Sequence, residues 1–182
     1  RVFLRNSSIA LAAAAGTGRR ASANNAIVVA LLGCGARGRD HGRMLAQRDD
    51  VFLKYVCDPD RANRIGRFPE QLGRIQGTEP IALQDFRALL DDDEVDAVLV
   101  ATCDHWHGLA TVLACQAGKD VYVEKPASHN IWEGRKMIEA ARKYDRVVHV
   151  GTQNRSAPYV RAAREYIDAG KLGDVSLVKV FN

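Results

Sequence analysis

The sequence lacks three features that mark particular classes of protein. No run of apolar residues is long enough to span a bilayer, so we predict no membrane-spanning segment. Beyond the first 23 residues there is no excess of either charge, which argues against a nucleic-acid-binding surface. C-x-x-C spacing is also absent, so we predict no metal site and interpret the cysteines as small buried apolar residues: Cys34, Cys57, Cys103 and Cys115.

The net charge of +4 comes from the N-terminal segment, where residues 1–23 contain four arginines and no acid. This segment has the order of an export signal, with basic residues, the apolar stretch Ile9–Ala15 and a small-residue cleavage site at Ala21–Ala23. It resembles a twin-arginine signal in which Arg1 is the second arginine, and the missing initiator methionine predicts a truncated N-terminus. We expect a periplasmic or extracellular protein whose mature part begins near Asn24. The alternative is an amphipathic helix of a cytoplasmic protein.

From residue 25 onward, apolar runs alternate with helical patterns. Strands are predicted at 27–32, 51–57, near 81, 95–101, 121–123 and 147–150, and helices up to about 48 and at 62–74, 86–90, up to about 117, from 130 and at 159–169. This alternation is typical of βαβ units and predicts an α/β fold with a Rossmann-type, doubly wound parallel sheet. The run Val175–Phe181 is predicted to be the first strand of a second domain.

The helix that begins after Asn130 has a recognisable start and an apolar side. Glu133 follows Asn130 by three residues, which is the spacing of a capping box. Helical periodicity then predicts that the helix buries Ile131, Met137, Ile138 and Ala141.

A glycine pattern follows the first predicted strand and opens a helix. It is a G-x-G-x-x-G motif, Gly33-Cys34-Gly35-Ala36-Arg37-Gly38. The first glycine allows a tight turn, the second lets the backbone approach a pyrophosphate, and the third permits close packing of helix on strand. The phosphates would meet the helix N-terminus, so we predict that Ala36 and Arg37 also contact the cofactor. The alternative is a glycine-rich turn that binds nothing.

Asp58 ends the second predicted strand, twenty residues beyond Gly38. An acid at this position accepts hydrogen bonds from the adenosine ribose and repels a 2′-phosphate, which favours NAD over NADP. Arg61 lies close enough in sequence to soften that repulsion, so NADP stays open. Asp58 followed by Pro59 is also a pattern typical of a helix N-cap.

The fourth strand is followed by the segment Thr102-Cys103-Asp104-His105-Trp106-His107. We predict that this loop lines the cofactor pocket through Thr102, His105, Trp106 and His107. Two histidines and an aspartate also fit a metal site, but no third ligand is evident and we predict no metal. A purely structural role for His107 is the alternative.

Glu124-Lys125-Pro126 follows the fifth strand, at the edge of the sheet where ligands bind in open α/β folds. We predict that all three residues contact the cofactor and that Lys125 faces a substrate or the cofactor; its catalytic role follows from the resemblance described below. Gln153, after the last strand, is predicted to contact the cofactor as well, whereas the role of Arg155 stays open. The alternative for Lys125 is a solvated lysine in a loop.

Together these motifs resemble the Gfo/Idh/MocA oxidoreductases, although that family usually has proline where Cys103 stands. The resemblance implies a Rossmann domain followed by a mostly antiparallel α/β domain that binds substrate and forms a homo-oligomer. It further implies that Lys125 contacts the substrate hydroxyl and the nicotinamide, as a proton relay or an electrostatic anchor. A histidine of the second domain would share the acid/base work.

We therefore divide the chain into an export signal (1–23), an NAD(P)-binding Rossmann domain (25–151), and a linker helix with the start of a truncated second domain (152–182). The predicted function is hydride transfer between NAD(P) and a secondary alcohol of a sugar or cyclitol. An NAD-dependent glycosidase and a non-catalytic dinucleotide-binding module are the alternatives. Residues 24–182 alone are expected to bind NAD weakly and to lack dehydrogenase activity.

Overall fold

The computed structural model describes residues 26–180, which are built around a parallel sheet flanked by helices. The strands are β1 (Ile27–Leu32), β2 (Val51–Cys57), β3 (Ile81–Leu83), β4 (Ala97–Val100), β5 (Asp120–Glu124) and β6 (Val148–Gly151). The helices are α1 (Ala36–Ala46), α2 (Phe68–Gln76), α3 (Arg87–Leu90), α4 (Asp104–Gln116), α5 (Ile131–Lys143) and α6 (Pro158–Asp168). The strand order β3-β2-β1-β4-β5-β6 is that of a Rossmann sheet and confirms the predicted fold class.

The sheet buries apolar side chains on both faces, as the continuous apolar runs of its strands require. Successive residues of β1 belong to different clusters, with Ala30 and Leu32 on one side of the sheet and Leu31 on the other. One cluster includes Phe68 of α2, and the other includes Met137 of α5. The carboxyl ends of all strands consequently point to a single edge of a rigid layer, and the loops that follow them are held close together.

The helix predicted over residues 62–74 is interrupted. A short π-helical turn at Arg61–Ile65 ends at Gly66, whose φ of 47° lies in the left-handed region, and α2 begins at Phe68. Pro69 has no amide hydrogen to donate to a preceding turn, so it suits the first turn of a new helix and not the interior of a long one.

The cap of α5 is confirmed, but its predicted apolar side is only partly right. The Glu133 amide donates to Asn130 Oδ1 at 2.9 Å, and Asn130 Nδ2 donates to Glu133 Oε1 at 2.7 Å. Met137 is buried, whereas Ile131 is 84% exposed and Ile138 47% exposed. Because β6 is the edge strand, this side of α5 reaches the border of the sheet, where residues 26–180 provide little to cover it.

The segment after α6 does not form the predicted strand. Residues 173–180 have no regular secondary structure, and their apolar side chains are exposed. A strand exists only through backbone hydrogen bonds to a neighbouring strand, and none of the described strands pairs with this segment. The prediction for Val175–Phe181 is therefore wrong over residues 175–180, and Phe181 lies outside the described range.

The predicted export signal and the predicted absence of a membrane span both depend on which residues the structure describes. The export signal at residues 1–23 lies outside the described residues. Among the helices of residues 26–180, none combines the length and the apolar character needed to cross a bilayer.

Candidate functional site

The glycine loop joins β1 to α1, and each glycine is required for a different reason. Gly33 has a φ of 95°, and a side chain there would lie 2.5 Å from the Ala101 carbonyl oxygen. A Cβ on Gly38 would lie 1.9 Å from the Gly33 carbonyl oxygen. At Gly35, by contrast, the nearest atom to an added Cβ is Arg64 Nη1 at 3.4 Å, so the backbone here is open on that side.

The open backbone at Gly35 leads directly into the N-terminus of α1. No side chain caps this helix, whose first residue is Ala36. Unpaired amide groups and the helix dipole make such an end favourable for an anion. A pyrophosphate group therefore fits this loop, and a side chain at Gly35 would fill the space that it needs.

Asp58 fixes the glycine loop to the end of β2. Its Oδ2 accepts a hydrogen bond from the Cys34 amide at 2.9 Å, and its Oδ1 accepts one from the Asp60 amide at 3.0 Å. Each carboxylate oxygen keeps a lone pair for a further donor, such as a ribose hydroxyl. The helix-capping alternative is wrong for Asp58, because Asp60 caps the following turn by accepting from the Asn63 amide.

A cavity of about 860 Å³ lies beyond the carboxyl ends of β1, β2 and β4. Its size suits a cofactor or a drug-sized ligand. Eight of the residues predicted to bind the cofactor line it, namely Gly33, Gly35, Ala36, Arg37, Asp58, Thr102, His105 and Trp106. The structure thus brings together the glycine loop, the acid after β2 and the loop after β4.

The cavity also has a wall that sequence reasoning missed. The loop after β3 contributes Gln84–Arg87, and the helical turn after β2 contributes Arg64. Gln84 Nε2 donates to the Pro59 carbonyl at 3.1 Å, and Phe86 contacts Trp106 edge to face with ring centres 6.4 Å apart. The sequence does contain a signal for this wall, because the loop after any parallel strand reaches the ligand-binding edge of the sheet. That signal is weak here, because β3 has only three residues.

The remaining predicted residues do not line this cavity. Gly38 is packed against Gly33, Gln153 is exposed in a short 3₁₀ turn, and Lys125 and Pro126 are exposed after β5, joined by a cis peptide bond. His107 is buried between two loops, with Nδ1 2.7 Å from the Pro126 carbonyl oxygen and Nε2 3.1 Å from that of Thr102. His107 therefore ties the loop after β4 to the Lys125 loop, which is the structural role left open for it.

Glu124 is buried and strongly hydrogen-bonded. His41 Nε2 lies 2.6 Å and Arg37 Nε 2.9 Å from its Oε1, while the Lys125 amide donates to Oε2 at 3.2 Å. Burial disfavours the charged carboxylate, but the hydrogen bonds from His41 and Arg37 outweigh it and hold the pKa of Glu124 below its ordinary value. His41 was not singled out from the sequence, because its partner lies 83 residues away.

Within residues 26–180, no three metal-ligating side chains converge.

The cysteines follow the sequence prediction with one exception. Cys34, Cys57 and Cys115 are buried, whereas Cys103 is exposed and lines the cavity. The prediction that Cys103 is buried is wrong, because it immediately precedes α4 in the loop that faces the ligand edge. Burial raises the pKa of the Cys34 and Cys57 thiols to about 12, so neither forms the reactive thiolate at neutral pH.

Cys103 therefore offers a direct test of where the cofactor binds. We expect a thiol-alkylating reagent at neutral pH to modify Cys103 first, and saturating NAD to slow that modification severalfold. Peptide mass spectrometry over a time course measures both rates. Labelling of Cys103 that is equally fast with and without bound NAD would place the cofactor elsewhere.

Comparisons with known proteins agree with this geometry. A family model described as "Oxidoreductase family, NAD-binding Rossmann fold" (GFO_IDH_MocA) matches residues 27–152. Myo-inositol 2-dehydrogenase of Thermotoga maritima is 28% identical over 84% of this chain and 44% of its own length. The scyllo-inositol 2-dehydrogenase (NAD(+)) of Bacillus subtilis is 32% identical over 84% of this chain and 43% of its own length. The crystal structure of a probable dehydrogenase from Thermotoga maritima superposes with a TM-score of 0.67 at 29% identity, covering 80% of this chain and 42% of that one. The chain thus spans less than half the length of the curated relatives that it matches.

Proposed function

Because this chain belongs to the Gfo/Idh/MocA family of oxidoreductases with an NAD-binding Rossmann fold, as its motifs predicted, we propose that it serves hydride transfer between NAD and a secondary alcohol of a cyclitol or sugar. The observation that carries the proposal is the open backbone at Gly35 beside the uncapped N-terminus of α1. When bound, the nicotinamide accepts or donates the hydride. The protein binds the cofactor and the substrate, orients them and polarises the reacting group of the substrate.

The two ends of the cavity bind different parts of the cofactor in this proposal. The glycine loop holds the pyrophosphate, and Asp58 accepts hydrogen bonds from the adenosine ribose. Asp60 and Arg64 both line the cavity near Asp58, so the preference for NAD over NADP rests on the Asp58 carboxylate and on the NAD-binding family model. Thr102, in the loop after β4, and Trp106, in the first turn of α4, line the cavity beyond the end of β4, the strand next to β5.

Lys125 acts on the substrate oxygen in this proposal. It follows β5, whose neighbour β4 leads into the loop that lines the cavity. The adjacent Glu124 carboxylate is already engaged by His41 and Arg37, and no carboxylate in residues 26–180 forms an ion pair with the Lys125 ammonium. That ammonium is therefore available to hold an alcohol or carbonyl oxygen and to stabilise the negative charge that develops on it.

The substrate class rests on the relatives. Those with the printed names myo-inositol 2-dehydrogenase and scyllo-inositol 2-dehydrogenase support a cyclitol, and a polyol of this kind offers the secondary alcohol that the chemistry requires. Because this chain covers less than half of each relative, the groups that select one substrate and the contacts of a homo-oligomer are proposed to lie in another domain. The order of residues 1–23 supports export.

The proposal is tested with the full-length protein that contains this chain. NAD is mixed with myo-inositol, with scyllo-inositol and with a panel of sugars and glycosides, and nicotinamide absorbance and free sugar are followed together. We expect NADH to accumulate with at least one polyol. Release of sugar from a glycoside without net NADH would replace the dehydrogenase by a glycosidase. Tight NAD binding without turnover of any compound would favour the non-catalytic module.

A further inference from the structure

The end of β5 differs chemically from the ends of its neighbours in the sheet. β4 ends in the buried, apolar Val100 and β6 ends in the buried Gly151, so neither neighbour ends in a polar side chain. β5 ends in Glu124, which is only 4% exposed. A buried carboxylate is costly unless donors compensate it, so a sheet that needed only packing here would be better served by an apolar residue.

Three donors compensate Glu124, and they come from two different parts of the fold. Arg37 lies at the start of α1, in the glycine motif, and His41 lies one turn further along the same helix. The third donor is the backbone amide of Lys125. One carboxylate therefore connects the phosphate-binding helix to the residue that the proposed function makes catalytic.

We propose that Glu124 and His41 position Lys125 relative to the bound cofactor, an inference that rests on the proposed function of this site. The Glu124 carboxylate holds the Lys125 amide, and His41 holds the carboxylate. Because His41 belongs to α1, the Glu124 carboxylate connects the Lys125 loop to the helix that begins at the pyrophosphate site. His41 acts through Glu124 and not on the cofactor itself.

The surroundings of His41 support this indirect role. Its side chain is buried and does not line the cavity, whereas Arg37 is half exposed and does. A carboxylate only accepts hydrogen bonds, so Nε2 of His41 carries the proton toward Glu124. The imidazole also contacts the Tyr122 ring edge to face at 5.5 Å, and Tyr122 in turn stacks on His149. These contacts hold the His41 ring beside Glu124, to which its Nε2 donates a hydrogen bond.

The test compares two ligands that share the ADP part and differ in the nicotinamide. We expect His41→Leu to weaken NADH binding about tenfold, the size of one lost charge-assisted hydrogen bond, and to leave ADP-ribose binding within about twofold. Bound NADH should also protect the Lys125 amine from acylation less well in this variant. Titration calorimetry measures the affinities, and peptide mass spectrometry measures the acylation of Lys125.

Matched variants separate positioning from general damage. His41→Gln keeps a side-chain donor and is expected to restore most of the NADH affinity, whereas Glu124→Gln should reproduce the loss seen in His41→Leu. His129→Leu, at an exposed histidine outside the site, should change neither ligand. If His41→Leu does not fold, the comparison of Glu124→Gln with the wild type provides the same measurement.

Three outcomes would contradict either the positioning role or the proposed function. An unaltered NADH to ADP-ribose affinity ratio in both His41→Leu and Glu124→Gln, with normal protection of Lys125, would overturn the positioning role. An equal loss of affinity for both ligands would show that the two residues support the glycine loop in general, and it would overturn the positioning role as well. Failure of the wild-type protein to bind NADH would instead contradict the proposed function.

Discussion

Replacing Gly35 with valine is expected to weaken NAD binding severely while the fold keeps its stability. An added Cβ meets only the end of the flexible Arg64 side chain at 3.4 Å, and the φ of Gly35, −69°, is ordinary for any residue. The rest of a valine side chain would occupy the space where the pyrophosphate must approach the backbone. We expect affinity to fall on the order of 100-fold or more, which corresponds to about 2.7 kcal/mol. Titration calorimetry measures the affinity, and thermal unfolding measures the stability.

Two other glycines provide the controls for this experiment. Gly38→Ala should lower the melting temperature as well as the affinity, because its Cβ would lie 1.9 Å from a backbone oxygen. Gly118→Asn should leave the affinity unchanged, since nothing lies within 4 Å of an added Cβ, while the positive φ of this turn lowers the melting temperature only slightly for asparagine. Wild-type affinity in Gly35→Val would show that the cofactor phosphates do not approach this loop.

The sequence predicted the part of the fold that depends on local pattern. The bounds of β1 and β2 were predicted to the residue, because continuous apolar runs and the following glycines or Asp58 mark buried parallel strands clearly. The glycine motif also predicted where the cofactor phosphates would bind, since the strand, the tight turn and the helix must occur in that order for a phosphate to be bound.

The errors share a different physical origin, which is dependence on partners far along the chain. Val175–Val180 has the composition of a strand but forms none, because strand formation requires a neighbour. Ile131 fits the helical periodicity of α5, yet its burial depends on what covers the edge of the sheet. Similarly, nothing near His41 in the sequence indicates that a carboxylate 83 residues away will accept a hydrogen bond from it.

Replacing Lys125 with methionine is expected to lower kcat of the proposed dehydrogenase reaction about 10²- to 10⁴-fold, the range in which a positioned acid, base or electrostatic group contributes. Methionine keeps the length of the aliphatic part but cannot donate a hydrogen bond or carry charge. The affinity for NAD should fall by no more than about tenfold, the loss expected for His41→Leu, because the glycine loop and Asp58 hold the rest of the cofactor independently of this side chain. Steady-state kinetics with the polyol that gives turnover, together with NAD titration, separates the two quantities. A kcat within twofold of the wild type in Lys125→Met would remove this lysine from the chemistry.

Lys125→Arg then distinguishes the two roles proposed for the lysine. Arginine keeps the positive charge but does not release its proton in proteins, so it can replace an electrostatic anchor and not a proton relay. Because the Glu124 carboxylate is engaged by His41 and Arg37, the charge of an arginine at position 125 would act on the substrate oxygen with little local neutralisation. If the lysine acts by its charge, Lys125→Arg should recover at least about tenfold of the kcat lost in Lys125→Met, with an unchanged pH profile. If it transfers the proton, arginine should be as inactive as methionine, and the pH dependence of kcat in both variants should lose one ionisation.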